Sequence, residues 1–261
     1  MNRVILIFSI VTIGLGWTFP LQAQVILPLY DQPSDFPVAG DPGVWASQND
    51  TNTMGGFGNF ATAYDNFSIA GGGQVNYLTW QGGYFLPAVQ GPIDKFTVTF
   101  YDDAGGEPGS VLLSNMVIGT AMETLVGVEP GTGDDGNLVY NYSGILQTSF
   151  IADPGTTYWL SIVPDLYFEQ DEMAAFIPGI WGWHTGTGGD GGLIQDFDDD
   201  FNGSIDTATE RFAEPFDLAF SLNQILIPEP VSAMAWFVAM MVGAAFHNRR
   251  SRRNSGRLEA V

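Results

Sequence analysis

An acidic run in the last third of the chain has the spacing of a calcium-binding loop. Counting from Asp198, oxygen-bearing side chains fall at positions 1, 3, 5 and 9, which are Asp198, Asp200, Asn202 and Asp206. Gly203 stands at position 6, where a sharp turn folds the ligands inward. Clustered carboxylates repel one another unless a hard cation joins them. The spacing therefore predicts a Ca²⁺ site. A solvated acidic loop is the alternative, because Thr209 occupies the twelfth position.

An aromatic run, residues 180–186, is a second candidate for binding. It contains Trp181 and Trp183, and strand alternation would place both rings on one face. Flat, exposed rings stack on the C–H faces of sugars, so these two residues predict a carbohydrate-binding platform. The alternative is a core role, because aromatic side chains bury large areas in β-proteins. His184 lies beside them, and we expect it to be a hydrogen-bonding residue and not a catalyst.

Enzymatic chemistry has weaker support. A glycosidase needs two carboxylates about 5–10 Å apart, and Glu169, Asp171 and Glu172 form the nearest cluster, although an acidic loop explains them better. The chain has no Cys, which removes thiol nucleophiles and thiolate metal sites, and no G-x-S-x-G string is present. Two G-x-G-x-x-G strings, residues 131–136 and 186–191, precede no helical pattern and predict loops. We expect a protein without catalytic activity.

The charge of the central region excludes one class of partner. Between Gln24 and Pro228 the chain has 27 Asp and Glu but only Lys95 and Arg211 as basic residues, a net charge of −25. Nucleic-acid binding depends on Lys and Arg contacts with phosphate, so we exclude it. Anionic lipids and anionic polysaccharides would also be repelled unless a divalent cation bridges the charges.

Short segments of alternating polarity predict the elements that carry these residues. In residues 93–101, Phe96, Val98 and Phe100 share one face, and Tyr158, Leu160 and Ile162 repeat the pattern. Turns rich in Gly, Pro and Asp separate such segments. We expect an all-β fold, a two-sheet, jelly-roll-like β-sandwich over residues 63–224. Residues 24–62, rich in Gly, Asn and Pro, would form a lead-in, either ordered or mobile.

The two ends of the chain have the patterns of targeting segments. Arg3, an apolar run over residues 4–16 and Ala23 follow the order of a secretory signal peptide over residues 1–23. Residues 225–261 contain the tripeptide Pro228, Glu229, Pro230, then an uncharged stretch over residues 231–246 and a cluster of arginines from Arg249. The stretch predicts a short transmembrane helix whose arginines remain cytoplasmic.

The C-terminal residues resemble the PEP-CTERM sorting signal of bacteria. The resemblance implies recognition by an exosortase, cleavage near the tripeptide, and transfer to the outer surface or extracellular matrix. Residues 96–109 and 154–162 are similar to the bodies of other exported β-sandwich proteins with this tail. An ordinary C-terminal anchor is the alternative.

Together these features indicate a non-catalytic, exported surface or matrix protein. Its partners would be the export machinery and an exosortase-type enzyme, with the membrane contacted through the C-terminal helix before processing. An extracellular polysaccharide is a further candidate partner. The alternatives are a carbohydrate-binding module and, with less support, a polysaccharide-cleaving glycosidase.

Overall fold

A computed structural model describes residues 25–37, 43–51, 58–85, 88–117, 123–130, 136–166, 179–198 and 210–226. These residues form fifteen strands and no helix. The strands are β1 (Val25–Gln32), β2 (Val44–Ala46), β3 (Gln48–Asp50), β4 (Gly58–Ser68), β5 (Gly73–Phe85), β6 (Ile93–Asp103), β7 (Pro108–Val117), β8 (Thr124–Glu129), β9 (Asn137–Ala152), β10 (Thr157–Leu166), β11 (Ile180–Gly186), β12 (Leu193–Phe197), β13 (Arg211–Glu214), β14 (Asp217–Leu218) and β15 (Phe220–Leu226).

The strands form two sheets. The first has eight strands, with β1, β15, β5, β11 and β14 in order, β9 also paired with β5, β8 with β9, and β2 with β11. The second has seven strands in the order β13, β12, β4, β3, β10, β6, β7. The all-β prediction is confirmed, and the two sheets are compatible with a β-sandwich. The jelly-roll arrangement stays a prediction.

Alternating sequence and turn chemistry explain the hairpin of β6 and β7. Phe96, Val98 and Phe100 on β6 are buried, as their period of two requires. The turn after Asp103 places Gly105 and Gly106 at φ values of 84° and 93°. Such left-handed backbone suits glycine, because glycine has no Cβ to clash. The strands then return antiparallel.

One aromatic core joins the inner faces of both sheets. Phe67 of β4 and Phe100 of β6 pack with Phe150 of β9 across the sheets, and the Phe100 and Phe150 rings stack at 4.3 Å. Trp80 stacks on Tyr142 with centroids 5.6 Å apart. These rings bury large apolar areas, so the core needs no disulfide to hold the two layers together.

The predicted lead-in contributes strands to both sheets. β1 and β2 belong to the first sheet and β3 to the second, where it pairs parallel with β10. The compact unit extends over Ile26–Leu226 and so begins earlier than the predicted boundary at residue 63.

The predicted targeting segments lie almost wholly outside the described residues. These are the signal peptide, residues 1–23, and all of the tail from residue 227 onward, including the apolar stretch 231–246. In the part of the chain that is described, no helix is long and apolar enough to cross a membrane.

Gly82 provides a test of the packing between β5 and β11. A Cβ at Gly82 would lie 2.2 Å from Cζ2 of Trp181 and 2.8 Å from the carbonyl oxygen of Gly182. Trp181 is fully buried, so its ring cannot move into solvent to avoid the added Cβ. We expect Gly82→Ala to lower the free energy of unfolding by about 1–3 kcal/mol, measured by urea denaturation. Gly71→Ala is the matched control, because nothing lies within 4 Å of its added Cβ. Equal losses in both variants would contradict the packing.

Candidate functional site

Three carboxylates from distant parts of the chain converge at one place. Asp65 lies on β4, Asp190 in the loop between β11 and β12, and Asp217 on β14. One oxygen of each lies within 4.8 Å of the others, and Asp65 and Asp217 are buried while Asp190 is exposed. We call these three residues the carboxylate cluster. It was not predicted, because its members are far apart in the sequence.

Alternation along β4 places Asp65 in the interior. Ala63, Asp65 and Phe67 occupy every second position, and all three are buried. A single acid on an otherwise apolar face was the signal in the sequence that could have identified this residue. An interior carboxylate requires hydrogen-bond donors, because burial removes its water.

Neutral donors surround Asp65. Its Oδ2 accepts hydrogen bonds from Nε2 of Gln32 at 2.6 Å and from the backbone N–H of Leu218 at 2.5 Å. Its Oδ1 accepts a third from the backbone N–H of Asn66 at 2.7 Å. Burial raises the pKa of Asp65 well above 3.8, and the charge of Asp217 raises it further, while these donors act in the opposite direction.

The glycine-rich loop after β11 closes on Asp217. Gly189 and Gly191 donate backbone N–H groups to the two oxygens of Asp217, at 3.0 and 2.7 Å. Gly188 and Gly191 have φ values of 94° and 81°, which directs successive N–H groups inward. The string over residues 186–191 therefore binds an internal carboxylate. A strand, β12, and not a helix follows it, which confirms the prediction of a loop.

The carboxylate cluster has the donor set of a hard-cation site. Within the described residues, Lys95 and Arg211 form their ion pairs with other acids, and none involves Asp65, Asp190 or Asp217. The cluster can reduce its repulsion by holding a proton or by binding a cation. All-oxygen donors suit Ca²⁺ or Mg²⁺, although Oδ2 of Asp65 already accepts two hydrogen bonds, which leaves its Oδ1 as the oxygen with a lone pair to offer.

The predicted calcium loop connects β12 to β13, which pair with each other as antiparallel strands. Asp198, its first ligand position, is fully buried directly after β12, whereas Asp200, Asn202 and Asp206 lie outside the described residues. The backbone N–H of Phe197 donates to the carbonyl of Glu210 at 2.9 Å. This bond and the pairing of β12 with β13 hold the loop ends together, in place of EF-hand helices. Calcium binding by the loop stays a prediction.

The burial of Trp181 and Trp183 overturns their predicted role in sugar stacking. Both side chains have 0% exposure, so neither presents a ring face to solvent. The indole N–H of Trp181 donates to the hydroxyl of Tyr142, and that of Trp183 donates to the carbonyl of Ala219, each at 3.0 Å. Their strand, β11, lies between β5 and β14 in the first sheet, and both tryptophans belong to the core.

His184 is buried among acceptors, as its expected hydrogen-bonding role requires. Its Nε2 lies 3.2 Å from Oε2 of Glu129, and both side chains have 0% exposure. Its Nδ1 lies 2.8 Å from the carbonyl oxygen of Thr185 and 3.5 Å from Oδ1 of Asp35. The imidazole therefore links β11 to β8 and to the segment after β1.

The remaining candidates lie outside the described residues. These are the glycosidase carboxylates Glu169, Asp171 and Glu172, and residues 131–135 of the first glycine-rich string.

Comparison with known proteins gives no family for this chain. No protein-family model matches it, and no curated protein matches its sequence. The function must therefore be argued from the residues and geometry of the chain itself.

Asp65 provides a pH test of the carboxylate cluster. Because its pKa is raised in the folded state, the native protein holds more protons than the unfolded chain once the pH passes 3.8. The ionised side chain therefore costs stability as the pH rises. We expect Asp65→Asn to gain stability relative to the wild type as the pH rises above about 4, measured by urea denaturation with chelator present. Asp153→Asn, at an exposed turn, controls for the loss of one charge. Parallel stability–pH curves for wild type and Asp65→Asn would contradict this assignment.

Proposed function

We propose that this chain is a non-catalytic cell-surface or extracellular-matrix protein sorted by an exosortase-type system. The ordered C-terminal pattern carries the proposal: Pro228-Glu229-Pro230, an uncharged stretch over residues 231–246, and the arginines from Arg249. A signal-peptide pattern at residues 1–23 is consistent with export. The two patterns are independent of each other, and both support a location of the body outside the cytoplasm.

The proposed route has three steps. The signal peptide directs the chain through the inner membrane and is removed near Ala23. The stretch 231–246 then holds the protein in that membrane, with its arginines on the cytoplasmic side. Cleavage near Pro228-Glu229-Pro230 releases the body for transfer to the outer surface or the matrix.

The body suits an extracellular environment in this proposal. A two-sheet, jelly-roll-like core without Cys is indifferent to the redox state of its surroundings. Its strong negative charge keeps it soluble and repels anionic polymers, except where Ca²⁺ bridges them. Calcium at the predicted loop or at the carboxylate cluster would stabilise the fold, because both sites concentrate carboxylate oxygens.

Cell fractionation tests the sorting proposal. In a bacterium with an exosortase, we expect the wild type to reach the cell surface or medium with a C-terminus near Pro228, measured by mass spectrometry. Replacing Pro228, Glu229 and Pro230 with Ala leaves the apolar stretch intact, and we expect that variant to accumulate uncleaved in the inner membrane. A chain ending at residue 227 controls for export alone. If the triple-Ala chain is processed and located like the wild type, the sorting proposal fails.

Thermal unfolding tests the calcium proposal. Saturating Ca²⁺ that binds only the folded state adds about 2–4 kcal/mol, so we expect the exported protein to melt several degrees higher than with chelator. Loss of the shift in Asp198→Asn would place the ion in the loop, and loss in Asp190→Asn would place it in the carboxylate cluster. Asp153→Asn is the exposed control. Identical midpoints with Ca²⁺ and with chelator in the wild type would rule out both sites.

A further inference from the structure

A cavity of about 400 Å³ lies on the outer face of the first sheet. Thr79 and Gln81 of β5 line it, and they alternate with Leu78 and Trp80, whose side chains are buried in the core. Residues of β1, β8, β9 and β15 also line it, together with Pro33, Ser34 and Ala219, which lie outside the strands. The volume is in the range of small-molecule binding sites.

Strand register arranges the cavity side chains in two cross-strand rows. Thr79 is paired with Ser221 on one side and with Ser143 on the other. In the next row Asn141 is paired with both Gln81 and Thr124. The rows are Ser221–Thr79–Ser143 and Gln81–Asn141–Thr124. Every member is an uncharged hydroxyl or amide, able to donate and accept hydrogen bonds.

The cavity is neutral on a strongly acidic protein. Among the described residues, thirteen line the cavity and none of them carries a charge, whereas the central region has a net charge of −25. Three lining residues donate hydrogen bonds to acids outside the lining: Ser221 to the exposed Asp31, Gln32 to the buried Asp65, and Tyr142 to Glu123. The lining side chains are uncharged and the acids beside them repel anions, so the cavity favours an uncharged polar ligand over an anionic one.

Two buried polar atoms in the lining residues lack partners. Nε2 of Gln81 donates to Oδ1 of Asn141 at 2.7 Å, but Oε1 of Gln81 is buried and accepts no hydrogen bond from the described residues. The indole N–H of Trp80 is likewise buried without an acceptor. Buried polar atoms are nearly always hydrogen-bonded, because an unmade bond is costly. The amide of Gln81 therefore has hydrogen-bonding capacity that its contact with Asn141 leaves unused.

We propose that this cavity binds a sugar unit of a neutral saccharide. A neutral saccharide presents many hydroxyl groups and no charge, which matches the hydroxyl and amide rows and the uncharged side chains of the lining. The site differs from the one predicted at Trp181 and Trp183, which are buried. It also does not depend on how the protein is sorted.

Isothermal titration calorimetry with the exported protein tests the site. The probes are maltohexaose, cellohexaose and mannohexaose, with the anionic hexagalacturonate for comparison. We expect at least one neutral probe to bind and hexagalacturonate to bind more weakly. Gln81→Ala removes the amide, and Thr79→Val replaces a hydroxyl with a methyl of similar size. We expect each to weaken binding about tenfold.

Gln74→Ala is the matched control. Gln74 also lies on β5 and donates through its amide to a β9 residue, Ser149, at 2.9 Å, but it does not line the cavity. We expect it to bind the probe like the wild type. If Gln81→Ala fails to fold, Thr79→Val decides the question. The proposal is overturned if no neutral probe binds, if hexagalacturonate binds best, or if folded cavity variants keep wild-type affinity.

Discussion

The scarcity of cations is the constraint on which the rest of this structure depends. The central region has 27 acids, two basic residues and one histidine, and all three of these side chains contact a buried carboxylate. The pairs are Lys95–Asp165, Arg211–Asp196 and His184–Glu129, with closest distances of 3.0, 2.6 and 3.2 Å. The first joins β6 to β10, the second β12 to β13, and the third β11 to β8. Each available cation or imidazole therefore connects neighbouring parts of the fold.

The carboxylates without a cation require another kind of partner. Asp65 and Asp217 receive N–H donors from the backbone and from Gln32, and the glycine-rich loop takes its shape from those donations. N–H groups satisfy the lone pairs, but they do not cancel the charge, which is why the carboxylate cluster favours a proton or a hard cation. The cavity lined by Thr79 and Gln81 differs from the rest of this acidic protein, because its lining side chains are uncharged.

The sequence predicted local structure better than it predicted which distant residues come together in space. Alternation placed a strand over residues 93–101, and β6 covers it; the turn at Gly105 and Gly106 also followed from local chemistry. β2 and β3 have three residues each, too few for a period to appear in a Gly- and Asn-rich segment. Alternation assigned Trp181 and Trp183 to one face but did not say that the face was covered. The carboxylate cluster joins distant residues, and only the sheet pairings bring them together.

The pairing of the first strand with the last determines when the body can fold. β1 lies beside β15, and β15 also supplies one neighbour of β5, near the centre of the first sheet. Until residues 220–226 have been synthesised, β5 has an unpaired edge and β1 has no neighbouring strand in the described sheet. Such long-range closure makes assembly slow and late. A growing chain would therefore stay incompletely folded until almost all of the body has been made.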